Sequence, residues 1–237
     1  MDVLVTGAAG RIGTAFCAAS EGGPLRLRRA DLHDRSPASP FPFVPLDVTD
    51  AAACRAACAG VEAVLHLAAD PSPDADFRGS VLPVNIAGTY NMVEAGAAAG
   101  VRRFVFASSA QAVEGYPTDR QVRETDPPRP ANDYGVGKAF GEALCASFAQ
   151  RSDTSFVALR IAFYAEQVPP ATGSFRNRTA WLSPRDAAQL LTAALTATVT
   201  GFVVAHGVSD NAAKRLSLER TRRDLGYQPV DDAFAPT

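Results

Sequence analysis

The chain has 237 residues, of which 47% are hydrophobic and 20% are charged, with a formal net charge of −2. This length and composition are typical of a globular enzyme that buries a sizeable core. The charge pattern contains no basic block, which argues against nucleic acid or an anionic membrane as a partner. No apolar run reaches transmembrane length and no leader-like segment opens the chain, so we expect a cytoplasmic protein.

The cysteines and histidines show no spacing typical of a metal site. The four cysteines form no Cys-x-x-Cys pair, and the three histidines are scattered along the chain. We therefore interpret the cysteines as small core residues of a reduced protein and predict no metal.

A short apolar strand followed by a glycine turn opens the chain. Residues 3–5 lead into Gly7, Gly10 and Gly13, and a helix of small residues follows. Such glycines permit a tight turn, let backbone N–H groups approach a pyrophosphate, and let the helix pack closely on the sheet. The spacing differs from the simplest G-x-G-x-x-G motif, and a helix-opening loop without a ligand is the alternative. The position directly after an apolar strand favours a dinucleotide at the positive end of the helix.

Residues 25–30 are predicted to form the second strand, with Asp31 at its carboxyl end. An acidic side chain about twenty residues past the glycine turn can hydrogen-bond the ribose hydroxyls of the adenosine. A carboxylate there also repels a 2′-phosphate, which favours NAD over NADP, although Arg28, Arg29 and Arg35 lie nearby. The alternative for Asp31 is a helix cap or a plain surface charge.

The next segments continue the dinucleotide site. Residues 36–45 carry four prolines and are predicted to be irregular. Asp47 follows at a strand end, where it can meet the adenine, and Asp50 can cap a helix over residues 51–59. The buried strand over residues 61–67 ends in small residues that let the backbone pass close to a ligand.

Helices and strands alternate through the rest of the chain, which predicts an α/β fold with a Rossmann-type doubly wound parallel sheet. We expect an NAD-binding domain over residues 1–162 and a small C-terminal substrate-binding region over residues 163–237 that does not fold independently. The later elements are predicted as a helix over 80–99 despite Pro83, a strand over 101–107, a helix over 134–150 capped by Asn132 or Asp133, a strand over 154–161, an irregular segment over 163–179, a helix over 184–198, a strand over 201–205 and a short helix over 217–225.

Tyr134 and Lys138 lie four residues apart, on one face of their predicted helix. The pKa of a free tyrosine is about 10, and a neighbouring Lys cation is expected to lower it, as a general base requires. The alternative is an exposed tyrosine beside a solvated lysine, because Tyr-x-x-x-Lys occurs often by chance. Ser109 favours the catalytic interpretation, since open α/β sheets bind ligands at the carboxyl ends of central strands.

Together these motifs resemble the extended short-chain dehydrogenases/reductases of the NAD-dependent epimerase/dehydratase group. The resemblance implies Ser109, Tyr134 and Lys138 as the catalytic set, with Lys138 also holding the nicotinamide ribose. The matching stretches lie at residues 6–13, 47–48, 66–69, 108–109, 134–138, 159–161 and 224–229. The cofactor-binding residues that follow for NAD are Gly7, Ala9, Gly10, Arg11, Ile12, Asp31, Leu32, Asp47, Val48, Leu67, Ala68, Ala69, Tyr134 and Lys138.

Within that group the chain is most similar to the uronate dehydrogenases, through its short length and residues 175–186. This implies oxidation of a hexuronate, glucuronate or galacturonate, at C1 to the aldarolactone, with Arg176 binding the sugar carboxylate. A solvated loop charge is the alternative for Arg176. Asn, His and Ser are expected where this chain has Ala110, Gln111 and Phe163, which points to an altered or less polar substrate. The implied substrate-binding residues are Ser72, Ser109, Ala110, Gln111, Phe163 and Arg176.

Two other functions are open. A sugar or nucleotide-sugar epimerase, dehydratase or reductase would use the same scaffold, but the short C-terminal part leaves little chain to hold a nucleotide. A non-catalytic dinucleotide-binding regulator would not need both Tyr134 and Lys138. The resemblance also implies a homo-oligomer that associates through the helices over residues 80–99 and 134–150, with a small sugar acid as the substrate partner.

Overall fold

The computed structural model describes residues 1–235 and contains a seven-stranded parallel sheet with helices on both faces. The strands are β1 (Asp2–Thr6), β2 (Arg26–Asp31), β3 (Phe43–Pro45), β4 (Ala63–His66), β5 (Arg103–Ser109), β6 (Ser155–Ile161), β7 (Phe163–Tyr164), β8 (Trp181–Leu182) and β9 (Phe202–Gly207). The order in the main sheet is β3-β2-β1-β4-β5-β6-β9, and β7 and β8 form a separate two-stranded sheet. The predicted α/β class and parallel doubly wound sheet are therefore confirmed.

The helices cover the sheet and connect its parallel strands. They are α1 (Arg11–Ala19), α2 (Ala51–Cys58), α3 (Thr89–Ala98), α4 (Asp133–Ala149), α5 (Phe175–Ala180), α6 (Pro184–Thr196) and α7 (Glu219–Leu225). A π-helical segment, Phe77–Gly88, leads directly into α3, and a 3₁₀ turn, Ala110–Val113, follows β5. In the part of the chain that the structure describes, no helix is both long and apolar enough to cross a lipid bilayer.

The core lies on both faces of the sheet because successive strand residues point to opposite sides. In β1, Val3 and Val5 belong to the cluster that includes Phe16 of α1 and Leu190 of α6. Leu4 belongs to the opposite cluster, which α2, α3 and α4 cover. The cysteines are buried in these clusters, as the sequence predicted.

The strand order reverses at the centre of the sheet and thereby positions the site. β1 pairs with β2 on one side and with β4 on the other, and all these pairings are parallel. The connections from neighbouring strands leave in opposite directions at this point, so a crevice opens at the carboxyl ends of β1 and β4. The glycine turn lies at that edge.

The predicted helix over residues 80–99 is only partly correct. Residues 77–88 are wound as a π-helix, and the α-helix begins at Thr89. Pro83 lies inside the π-helical segment and has no N–H for a regular helical bond. Asp76 begins the segment, where its side chain accepts a hydrogen bond from the Gly79 N–H.

Two segments predicted to be irregular contain short regular elements. The proline-rich segment ends in β3, an edge strand whose Phe43 lies opposite Arg29 of β2. The segment over residues 163–179 contains β7 and most of α5, which Ser174 caps through the Asn177 N–H. These elements are two to six residues long, too short for sequence periodicity to reveal.

The boundary between residues 162 and 163 stays a prediction. α6 and β9 follow that boundary in sequence, yet β9 completes the main sheet beside β6 and α6 packs in the same core as α1. The predicted association of subunits also stays a prediction. The helices named for it expose Leu82, Tyr90 and Val136 to solvent.

Candidate active site

The glycine turn between β1 and α1 forms a cradle that has no room for side chains at Gly7 and Gly13. Gly7 has φ +68°, and a Cβ at this position would lie 2.6 Å from the Ala68 nitrogen. A Cβ at Gly13 would lie 2.3 Å from the Gly7 carbonyl oxygen. Gly10 precedes α1 without a side-chain cap, so the first N–H groups of the helix face outward. Such N–H groups and the helix dipole suit a pyrophosphate.

Asp31 is tied to the glycine turn. One carboxylate oxygen accepts a hydrogen bond from the Ala9 N–H at 2.9 Å, and the other accepts one from the Leu32 N–H at 2.8 Å. Each oxygen keeps a further lone pair for a ribose hydroxyl. Asp47 is held in a local turn, where its carboxylate accepts hydrogen bonds from the N–H and hydroxyl of Thr49.

Asn85 fixes the loop after β4. Its side-chain oxygen accepts a hydrogen bond from the Asp70 N–H at 2.8 Å, and its amide donates to the Asp70 carbonyl at 3.0 Å. The segment from Leu67 to Ala69, between β4 and this loop, lines the crevice with small and apolar side chains.

One cavity of about 840 Å³ joins the glycine turn to Tyr134 and beyond. Its size is within the range of small-molecule and cofactor sites. Ser72 is the one predicted site residue outside its lining: Ser72 is exposed, and its hydroxyl accepts a hydrogen bond from the Asp74 N–H. The predicted site residues that line the cavity are Gly7, Ala9, Gly10, Arg11, Ile12, Asp31, Leu32, Asp47, Val48, Leu67, Ala68, Ala69, Ser109, Ala110, Gln111, Tyr134, Lys138, Phe163 and Arg176.

Tyr134 and Lys138 lie on the buried side of α4, below the carboxyl end of β5. The Lys138 ammonium donates to the Ala107 carbonyl at 2.7 Å and lies 5.5 Å from the centre of the Tyr134 ring. Burial lowers the pKa of Lys138 to about 8. Asn132 begins α4, where its side chain accepts a hydrogen bond from the Gly135 N–H at 2.7 Å.

The expectation of a lowered pKa for Tyr134 is wrong. Burial raises the pKa of Tyr134, and the Asp70 carboxylate raises it further. The neighbouring Ser109 hydroxyl acts in the opposite direction, because a donor beside the phenol favours the phenolate. Ser109 is thus a neighbour that favours the phenolate.

The cavity lining contains an ion pair that the sequence does not indicate. Arg176 of α5 contacts Glu114, with its Nε at 3.0 Å and its Nη2 at 2.7 Å from one carboxylate oxygen. These residues are 62 positions apart in the chain, so no local pattern could indicate the contact. Gln111 beside them accepts a hydrogen bond from the Asn132 amide at 2.8 Å.

A second ion pair lies near the glycine turn, between Arg11 of the cavity lining and Glu166. Arg11 donates to Glu166 at 3.1 and 2.6 Å, and its guanidinium lies 5.5 Å from the centre of the Tyr164 ring. Arg35 and Arg215 also line the cavity but were not assigned to it from the sequence. Within residues 1–235, no group of three His, Cys, Asp or Glu side chains is arranged to hold a metal ion.

Fold and site together define a dinucleotide-binding enzyme of the extended short-chain type. The chain belongs to the NAD dependent epimerase/dehydratase family, whose model matches residues 3–172. Both the fit of the cradle and this match support NAD as the cofactor. The family resemblance of the motifs is confirmed.

Several relatives that match nearly the whole chain are named as dehydrogenases. A NAD-dependent glucose-6-phosphate dehydrogenase of Haloferax volcanii is 39% identical, over 98% of this chain and 94% of its own length. An L-arabinose 1-dehydrogenase (NAD(P)(+)) of the same organism is 36% identical, over 98% of this chain and 97% of its own. The crystal structure of a mutant uronate dehydrogenase from Agrobacterium tumefaciens complexed with NAD is 33% identical with a TM-score of 0.86, over 98% of this chain and 85% of that one. The present chain is an NAD-dependent dehydrogenase of this family.

Proposed function

We propose that the protein oxidises a hexuronate, glucuronate or galacturonate, at C1 to the aldarolactone. The observation that carries this proposal is that one cavity is lined by the glycine cradle, by Ser109 and Tyr134, and by Arg176. A sugar can then place its C1 hydroxyl at the phenol while its carboxylate reaches the arginine. The relatives named as sugar dehydrogenases support the same class of reaction.

In this proposal Tyr134 is the general base and Ser109 orients the C1 hydroxyl. The Ser109 hydroxyl can bond the sugar oxygen while the phenolate of Tyr134 accepts its proton. When bound, NAD supplies the acceptor for the hydride that leaves C1, and its oxidised nicotinamide carries a positive charge. Because the pyranose C1 carries the ring oxygen, loss of this proton and hydride gives the lactone directly.

Lys138 is proposed to hold the nicotinamide ribose rather than to act as a base. With a pKa lowered to about 8, its ammonium keeps its charge at neutral pH. One of its three N–H donors is used by the Ala107 carbonyl, which leaves two for ribose hydroxyls. The predicted cofactor-binding residues that line the cavity remain assigned to NAD in this proposal.

Glucose 6-phosphate is the second candidate substrate. A relative 39% identical is named as a glucose-6-phosphate dehydrogenase, and a phosphate can occupy an arginine fork as a carboxylate does. Phe163 and Ala110 make the cavity wall less polar than the uronate pattern, which does not distinguish the two anions.

A substrate panel with NAD tests the proposal. Initial rates of NAD reduction are compared for glucuronate, galacturonate, glucose 6-phosphate, glucose and L-arabinose. We expect a uronate to give the highest kcat/KM, and Arg176→Ala to lower that value about a hundredfold, or roughly 2.7 kcal/mol. A higher kcat/KM for glucose 6-phosphate than for either uronate would favour glucose 6-phosphate as the substrate. Equal values for glucose and glucuronate, or a silent Arg176→Ala, would contradict the carboxylate assignment.

A further inference from the structure

Arg215 is a further arginine of the cavity that Arg176 lines. Arg215 is in the loop between β9 and α7, is half-buried, and lines the same cavity as Glu114 and Arg176. No motif in the sequence marks it, because it belongs to an irregular segment of mixed polarity. Its position follows only from the tertiary structure.

Backbone carbonyls hold the Arg215 side chain in place. Its Nη1 donates to the carbonyls of Pro117 and Arg120, both at 2.6 Å, and its Nη2 donates to the Tyr116 carbonyl at 2.9 Å. The Arg215 main-chain N–H donates to the Thr179 carbonyl of α5 at 3.1 Å. The guanidinium is therefore fixed against the segment after Glu114, and the main chain of Arg215 against the helix that carries Arg176.

The charge of Arg215 has no carboxylate partner within the described residues 1–235. Arg176, by contrast, is compensated by Glu114 at 2.7 Å, and Lys214 is compensated by Asp210 at 2.9 Å. The acceptors of Arg215 are neutral carbonyls, which orient the side chain without cancelling its charge. Three of its five N–H donors are used, so the Nε–H and one Nη2–H remain for a ligand.

We propose that Arg215 is the principal cation for an oxyanion on the substrate, with Arg176 as its second donor. The oxyanion is the carboxylate of a sugar acid or the phosphate of a sugar phosphate. This inference rests on the proposed oxidation of a sugar, and it moves the charge recognition from Arg176 to Arg215. Because Glu114 cancels the charge of Arg176, the pair contributes hydrogen bonds, whereas Arg215 contributes the net attraction.

The test measures binding without turnover. Dissociation constants of glucuronate, glucose 6-phosphate and glucose are determined by calorimetry on the protein saturated with NADH, where oxidation cannot proceed. We expect at least one anionic sugar to bind more tightly than glucose. We expect Arg215→Gln to weaken the binding of that anionic sugar about a hundredfold or more while changing the affinity for glucose less than about threefold.

Three further variants separate charge recognition from support of the loop. Arg215→Lys keeps the charge and should recover part of the affinity for the anionic sugar. Arg123→Gln removes an exposed charge from the neighbouring loop, outside the cavity lining, and should leave both affinities unchanged. Glu114→Gln removes the carboxylate that competes for Arg176 and should tighten binding of the anionic sugar about fivefold, a gain that a structural role would not produce.

Whether the oxyanion is a carboxylate or a phosphate is decided by which affinity, that for glucuronate or that for glucose 6-phosphate, falls in Arg215→Gln. The inference would be overturned if Arg215→Gln weakened the binding of glucose and of the anionic sugars equally. It would also be overturned if the unmodified protein bound glucose as tightly as both anionic sugars. Absence of NAD reduction with every sugar would instead contradict the proposed function. That result is independent of the present measurement, since binding to the NADH complex requires no catalysis.

Discussion

At the scale of single residues, burial decides the chemistry of Tyr134. The side chain is 9% exposed, and the loss of solvent raises the pKa of its phenol despite the Ser109 hydroxyl. A base with a raised pKa is less populated at neutral pH but stronger once deprotonated. We therefore expect the rate of oxidation to increase with pH into the alkaline range.

Tyr134→Phe should abolish the proton transfer and leave the packing of α4 intact. We expect kcat to fall by about a thousandfold or more, because the ring remains but the proton acceptor is lost. The dissociation constant for NAD, measured by calorimetry, should change little. Tyr90→Phe is the matched control, since Tyr90 is 44% exposed and outside the cavity lining. A Tyr134→Phe protein that keeps most of its rate would remove Tyr134 as the base.

The sequence could predict these residues because each lies beside a recognisable local pattern. Ser109 ends an apolar strand, and Tyr134 follows the cap at Asn132. The raised pKa of Tyr134 could not be predicted, because it depends on burial beneath β5 and on Asp70 from another loop. The same limit applies to Glu114, whose contact with Arg176 joins distant parts of the chain.

At the scale of elements, a buried ion pair joins α4 to the sheet. Arg160 of β6 donates to Glu142 of α4 at 2.9 and 2.8 Å, and Ser108 of β5 donates to the same carboxylate at 2.6 Å. Arg160 and Glu142 are 1% and 3% exposed. The network lies beside Ser109 and one helical turn after Lys138, so it fixes the strand end and the helix that carry the proposed catalytic groups.

Glu142→Gln should destabilise the fold strongly. The substitution leaves the Arg160 charge buried without an anion, which commonly costs about 3–5 kcal/mol. Urea unfolding measures this loss, and Glu142→Gln/Arg160→Met should recover much of it because neither charge remains. Glu94→Gln, which breaks the exposed contact with Arg55, is the control and should change the free energy of unfolding by less than about 1 kcal/mol. A Glu142→Gln effect as small as this control would contradict the account.

Alternation of apolar segments and turn residues was sufficient to predict most strands and helices of the main sheet. It failed where tertiary contacts create the element. β3 forms because Phe43 pairs with Arg29 of β2. The π-helical winding around Pro83 ends at Gly88, where a Cβ would lie 2.7 Å from Val48. Such packing constraints leave no periodic signal in the sequence.

At the scale of the whole molecule, two buried histidines link stability to pH. His66 contacts the Thr6 and Thr89 hydroxyls between β1, β4 and α3, and His206 on β9 contacts the Ser217 carbonyl. Burial lowers the pKa of His66 to about 3 and that of His206 to about 4. Both side chains are therefore neutral in the folded protein, although each would gain a proton below its ordinary value of about 6.5 in the unfolded chain.

The stability that these histidines contribute is present above pH 6.5 and is lost as the pH falls towards their folded values. We expect the free energy of unfolding, measured in urea, to fall between pH 7.5 and 5.5 by about 1.4 kcal/mol for each histidine. Replacement of either histidine by a residue that does not titrate should make this dependence less steep. A free energy of unfolding that is constant over this range would show that the histidines titrate alike in both states.

The central claim is that the protein oxidises a sugar at C1. The most direct test compares NAD reduction with glucuronate and with methyl glucuronide, in which a methyl group blocks the C1 hydroxyl. In the proposed reaction Tyr134 removes the proton of that hydroxyl, so we predict reduced NAD from glucuronate and none from the glycoside. Oxidation of both compounds at similar rates would contradict the claim, since the reaction would then take place at another carbon.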